Sequence, residues 1–124
     1  MKDEQDQKLV DLKTRTKAFA LRVVRLYSAL PQTRVSQVMG KQLLRSGTSV
    51  GAHYREAMRS RSTAEFVSKV EGALQELEES SYWLELLGES GLMNQDRLAD
   101  LQQEASELTA ILITCAKNAK RRDE

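Results

Sequence analysis

The sequence is poor in the residues that break helices, cross-link chains or hold metals. One proline and six glycines in 124 residues place it far from collagenous or low-complexity chains and favour helix. A single cysteine excludes an internal disulfide framework and makes a reducing, cytoplasmic setting the expectation. A single histidine, His53, excludes a di-iron site within one subunit, because that bundle design needs two Glu-x-x-His motifs and further carboxylates. Aromatic residues make up only 5%, so the core has to be aliphatic. No apolar run approaches the ~20 residues that span a membrane, and the opening MKDEQDQK is charged throughout, against a signal peptide. No P-loop and no Gly-rich dinucleotide fingerprint is present. The glycines that do occur near the middle have no preceding strand, so they form no phosphate cradle. These absences predict a soluble, non-enzymatic protein with no metal, no cofactor and no membrane contact.

What the chain has in abundance is charge, and it is unevenly placed. Residues 1–61 carry thirteen Lys and Arg against five Asp and Glu, a net +8; residues 62–124 carry six against thirteen, a net −7. Either basic helices pair with acidic ones within the fold or between subunits, or a cationic face is kept for a polyanion.

The apolar spacing is helical throughout. Leu9, Leu12, Thr16, Phe19, Val23, Leu26 and Leu30 alternate by three and four, a heptad seam that Pro31 ends. A second helix starts near Thr33, with Met39, Leu43, Val50, Tyr54 and Ala57 on one side. Ser62-Thr-Ala-Glu65 has the form of a capping box and opens a third, with Phe66, Val70, Ala73, Leu77, Leu84 and Leu87 in one stripe. Gly88 and Gly91 break it, and Asn94 is a good N-cap for a fourth. That last seam runs Leu98, Leu101, Ala105, Leu108, Leu112, Cys115, Ala119, with Cys115 read as a small buried hydrophobe. Helices are therefore expected over about 6–30, 34–58, 63–88 and 95–119, followed by a frayed polar tail. Four rods of ~25 residues, each roughly 38 Å long, with short connections predict one all-α domain, an antiparallel up-down-up-down four-helix bundle.

The second helix carries two further patterns. At 100° per residue, Arg34, Lys41, Arg45, Arg55 and Arg59 fall within ~80° of one another, opposite the apolar side. With Arg61 in the next turn they could track a phosphate backbone. Tyr54 faces the core, so base stacking is not supported, and contact with RNA would be read through backbone and shape. Gly40, Gly47 and Gly51 form a strip beside the apolar face. Glycine costs ~1 kcal/mol in a helix interior, so three in a strip mark a close backbone approach, either a tight helix pair within the chain or a subunit interface. The subunit interface is the expectation taken forward. Glu71, Glu78 and Glu85 recur every seven residues beside the third seam, as Lys8, Arg15 and Arg22 do beside the first. Such flanking charges choose partners in coiled coils. Helices one and three lie diagonally in an up-down bundle, so these charges are expected to meet between subunits.

Arg45 and His53 share a helix in a way that superficially matches an all-α ribonuclease, but their spacing is long and they lie ~80° apart around it. His53 reads better as a packed or hydrogen-bonded residue.

Three segments together resemble a known family. They are Arg45-Ser-Gly-Thr-Ser-Val-Gly-Ala-His-Tyr-Arg-Glu-Ala57, then Arg61-Ser-x-x-Glu65-Phe66, then Leu74-x-Glu76-x-x-Glu79-x-x-x-Trp83-Leu84-Glu85. Over roughly residues 10–118 the chain resembles the bacterial four-helix-bundle proteins of the rRNA intervening-sequence family, small proteins often encoded within insertions in large-subunit rRNA genes. The resemblance implies a four-helix bundle and a ring-like homopentamer. It extends to the accessory protein of diversity-generating retroelements, a basic pentameric bundle that binds RNA and a reverse transcriptase. It brings no catalytic residues, and the genomic context in the family's name does not imply ribosome binding. Where this chain has His53, the family is expected to have Asn more often. The expected function is thus a non-enzymatic homo-oligomer that binds structured RNA, or a nucleic-acid enzyme, through the basic stripe. The alternatives are a protein-interaction scaffold whose charges serve assembly alone and, more remotely, an all-α ribonuclease.

Overall fold

Three of the four helix starts are set by a side chain that replaces a missing backbone acceptor. Thr33 Oγ1 accepts the Ser36 N–H at 3.2 Å, Ser62 Oγ accepts that of Glu65 at 3.1 Å, and Asn94 Oδ1 accepts that of Asp96 at 2.9 Å. The Glu65 carboxylate reaches back to the N–H of Arg61 at 3.4 Å, one residue before the cap itself. The structure, a computed structural model, describes residues 4–123, with their side chains from residue 12 onward. Its helices are α1 (Glu4–Ser28), α2 (Arg34–Met58), α3 (Thr63–Glu89) and α4 (Gln95–Arg122), and no strand occurs among the described residues.

The ends differ from the expected ones in two places. Gly88 stays helical, and the reversal falls to Gly91 alone, whose φ of +77° is one that side chains other than glycine's resist. Gly88 instead lets α4 approach, since a Cβ there would collide with Gln95 and Leu98. The helix α4 runs to Arg122, past the expected fraying point, because Ala116 and Ala119 are buried and Lys120 reaches Glu71 at 3.3 Å.

Each helix packs on its neighbours in sequence and α4 returns to α1, while the backbones of α1 and α3, and of α2 and α4, stay apart and meet only through core side chains. The up-down-up-down order follows, with α1 and α3 diagonal. Between the helices lies one aliphatic core. Leu12, Phe19, Val23, Leu43, Val50, Leu77, Leu84, Leu98, Leu108 and Leu112 are essentially inaccessible, and Tyr54 is the largest side chain among them. Every seam residue expected from sequence and described here is buried or half-buried; Leu9 and Lys8 lie outside the described side chains. No helix of the described residues is long and apolar enough to cross a membrane.

The glycine strip has its explanation inside the chain. A Cβ on Gly47 would stand 2.8 Å from a methyl of Val23, one on Gly51 3.2 Å from Thr16 Oγ1, and one on Gly40 2.6 Å from Leu30. Val23 and Thr16 belong to α1, and Leu30 follows two residues after its end. The assignment of Gly40, Gly47 and Gly51 to a subunit interface is corrected accordingly: they are buried within the chain, where α1 and the turn after it lie on α2.

Candidate nucleic-acid interface

The helix α2 packs on both α1 and α3, so only one flank of it is left for solvent. Arg34, Lys41, Arg45, Arg55 and Arg59 lie on that flank, and Arg61 in the turn beyond; all six are exposed. From Arg34 to Arg59 the stripe is ~38 Å long at 1.5 Å per residue. Thr48 and Ala52 interrupt it, so the charge is gathered at the two ends of the helix. At the Arg55 end α1 adds to it. Thr16 sits against Gly51, and Lys13 and Lys17 beside Thr16 are exposed. Sequence reasoning missed these two lysines because only the α1–α2 register brings them to this level.

Arg45 is drawn away from the stripe. Its guanidinium donates to Glu79 Oε2 at 2.6 Å and to Glu76 Oε2 at 3.2 Å, both on α3. The hydrogen bond with Glu79, and next the charge of Glu76, push Arg45 above its ordinary range, while the same bond holds the Glu79 carboxyl below its own. With two carboxylates on it, Arg45 offers little to a polyanion and is corrected from phosphate contact to α2–α3 clamp. No carboxylate lies within 4 Å of the side-chain nitrogens of Arg34, Lys41, Arg55, Arg59 or Arg61 among the described residues.

Beneath the clamp, α2 and α3 meet through small polar groups. Ser80 Oγ donates to Ser46 Oγ at 2.9 Å in full burial, and Gly72 makes room for His53, whose Nδ1 would lie 3.3 Å from a Cβ there. That Nδ1 is buried and has no hydrogen-bond partner. His53 is eight residues, ~12 Å of axial rise, from Arg45, which is already occupied by glutamates. The pair recalling a ribonuclease is therefore not brought together. Cys115 is half-buried and packed on the core. Burial, and next the neighbouring Cys115, push the Tyr54 hydroxyl well above its ordinary value.

The acidic partners expected on α3 divide. Glu71 takes Lys120 of its own chain at 3.3 Å. Glu78 and Glu85 are exposed and pair with nothing among the described residues. Their expected complement has moved too, since Arg15 binds Glu104 at 2.6 Å and Glu107 at 3.3 Å on α4.

The seam between α2 and α3 predicts a pH response. Glu56 is held below its ordinary 4.5 by the hydrogen bond from Lys69, at 2.9 Å, and Glu79 below its own by Arg45. A carboxyl depressed in the fold contributes stability that is fully present above 4.5 and lost as pH falls through the lower folded value. Lys69, raised above its ordinary 10.5 mainly by the same bond to Glu56, keeps its share until pH rises past that value. All these groups are exposed, so the effect is small. The gap in unfolding midpoint between the protein and its Glu79→Gln variant is expected to stay constant from neutral pH down to about 4.5 and to close below it. Thermal melts across that range check this; a gap unchanged at acid pH would mean that the pair contributes nothing.

Several of the residues that carry the sequence resemblance hold α2 against its neighbours: Arg45, Ser46, Glu76 and Glu79 against α3, Gly47 and Gly51 against α1, Tyr54 in the core. Comparison with known proteins agrees with that shared framework. A solved structure, described as a protein of unknown function from the S23 ribosomal protein family of Bacteroides thetaiotaomicron, is 38% identical to this chain. The likeness covers 89% of this chain and 98% of that one, at a TM-score of 0.84. No curated protein matches. Residues 9–114 match the family described as 23S rRNA-intervening sequence protein, and the chain belongs to that family.

Proposed function

We propose that this protein is a non-enzymatic, cytoplasmic RNA-binding module that grips the phosphates of structured RNA with Arg34, Lys41, Arg55, Arg59 and Arg61. One observation carries the reading. The side chains of these five cations stay exposed and without a carboxylate partner among the described residues, although glutamates elsewhere are taken up by Arg15, Arg45, Lys69 and Lys120. Contacts of this kind follow the backbone and not the bases. They are individually weak, and a homo-oligomer that repeats the stripe gains by multivalency.

Fluorescence anisotropy of a structured RNA at two salt concentrations tests this. Binding is expected to be sub-micromolar at low salt and to weaken steeply with added salt, since each neutralised phosphate releases counterions. An Arg55→Glu/Arg59→Glu variant of unchanged oligomeric mass is expected to lose at least about tenfold in affinity. Absence of binding at low salt, or equal binding by the variant, would sink the proposal.

A second reading, an interaction scaffold whose charges serve self-assembly, draws on Glu78 and Glu85, which are exposed and unpaired in the chain. Under it no RNA binds, and Glu78→Lys/Glu85→Lys lowers the oligomeric mass.

A further inference from the structure

On the side of α1 away from α2, a groove of about 230 Å³ opens toward α4, lined by Arg22, Arg25, Leu26, Met93, Arg97 and Leu101. Of the neighbouring helix pairs, α1 and α4 pack least closely, which leaves room between them. Lower on the same seam Arg15 crosses to Glu104 at 2.6 Å. Seven residues on along α1 and seven back along α4, the same antiparallel register sets Arg22 across from Arg97. Opposite charges below give way to like charges above, and Arg25 adds a third cation. None of the three has a carboxylate within 4 Å among the described residues, not even Asp96 or Asp100 on either side of Arg97.

Two unit charges a few ångströms apart repel by ~1 kcal/mol in water and by more where the dielectric falls. Three guanidiniums around one groove are therefore stabilised by an anion placed between them. The floor narrows the choice. Met93 and Leu101 are buried, and Leu26 is half-buried beside them, so the base of the groove is apolar while its rim is cationic. The volume lies under the ~300 Å³ at which pockets for drug-sized ligands begin, enough for one phosphate and part of a ring. Guanidinium matches phosphate in a two-pronged geometry and also stacks on planar rings.

We propose that this groove binds a nucleotide by a terminal phosphate, with the phosphate held by Arg22 and Arg97 and the base resting on Leu26, Met93 and Leu101. The site is on a different seam from the α2 stripe and does not depend on the RNA reading. The ligand is either a free nucleoside monophosphate or the phosphorylated end of an RNA chain.

Met93 reports on the groove directly, with Met39 and Met58 on α2 as internal controls. In protein labelled at the methionine methyls, AMP is expected to shift the Met93 resonance and leave Met39 and Met58 in place. Adenosine is expected to have no effect and inorganic phosphate to bind at least about tenfold more weakly. Arg97→Gln is expected to weaken AMP by about tenfold or more, the loss of one charge-assisted contact, with helix content unchanged. Arg55→Glu/Arg59→Glu is expected to bind AMP as before. An RNA oligonucleotide with a 5′-phosphate that displaces AMP identifies a chain end as the ligand; one that leaves AMP bound identifies the free nucleotide. A Met93 signal unmoved by AMP, equal binding of phosphate, or an Arg97→Gln variant that binds AMP normally overturns the proposal. So does an Arg97→Gln variant whose only change is in oligomeric mass, since carboxylates of a second copy would then fill the groove.

Discussion

Gly47→Leu is expected to lower the unfolding midpoint by roughly 10 °C or more, the equivalent of about 3 kcal/mol in a domain of this size. Even the first carbon of the new side chain would stand 2.8 Å and 3.0 Å from the two methyls of Val23. Val23 is fully buried and β-branched, so it has one good rotamer on a helix and cannot turn aside. The remaining three carbons can only push α1 from α2. Gly47→Ala is expected to fall between, because the ~1 kcal/mol that alanine gains in helix propensity is smaller than the cost of moving Val23. Gly40 is the instructive contrast. Its closest neighbour is nearer, at 2.6 Å, but is the end of the flexible Leu30 side chain, and the Tyr27 ring at 2.9 Å is only half-buried, so Gly40→Ala is expected to be milder than Gly47→Ala. Circular-dichroism melts combined with a mass measurement separate this from a role in assembly. A Gly47→Leu protein that melts normally but dissociates would return the strip to a subunit contact.

Period and caps were legible because they are local: the three-and-four spacing fixes a buried face, and Thr33, Ser62 and Asn94 are the side chains their helix ends need. The glycine strip was legible as a close approach but not as to what approaches, since spacing along one helix says nothing about its neighbour. The same limit applied to Arg45. On a helical wheel it groups with Arg34, Lys41, Arg55 and Arg59; in the fold it lies level with Glu76 and Glu79. That registry could have been found. In an antiparallel pair joined by a short turn, residues equally far from the turn lie level, and from the Arg59–Ser62 turn Arg45 falls level with Glu76, one helical turn short of Glu79. The heptads of Glu71, Glu78, Glu85 and of Arg15, Arg22 were real as spacing. Their partners were set by α4, which supplies Lys120 to Glu71 and Glu104 to Arg15, and no heptad count on α1 or α3 contains that. The groove of Arg22, Arg25 and Arg97 joins segments some seventy residues apart, out of reach of any local pattern.

Tyr54 allows the fold and the proposed interface to be tested separately, because it adjoins the stripe residue Arg55 in sequence yet points the other way. It is the largest of the fully buried side chains. Tyr54→Ala is expected to cost about 3–5 kcal/mol, by lost burial and by the cavity left behind. Total stabilities are ~5–15 kcal/mol, so the variant is expected to be marginal at best. Tyr54→Phe keeps the ring and removes only the hydroxyl that lies near Cys115. It is expected to change stability by no more than ~1–2 kcal/mol, the range of a single buried hydrogen-bonding group. Measured by anisotropy in its folded state, Tyr54→Phe is expected to bind RNA as the unaltered protein does, since the hydroxyl is turned from solvent and no base can reach the ring. Arg55→Glu/Arg59→Glu is expected to show the reverse, full stability with weakened RNA binding. If Tyr54→Phe instead weakens RNA binding while its melting curve is unchanged, the aromatic ring takes part in recognition, and α2 must rotate or open to present it.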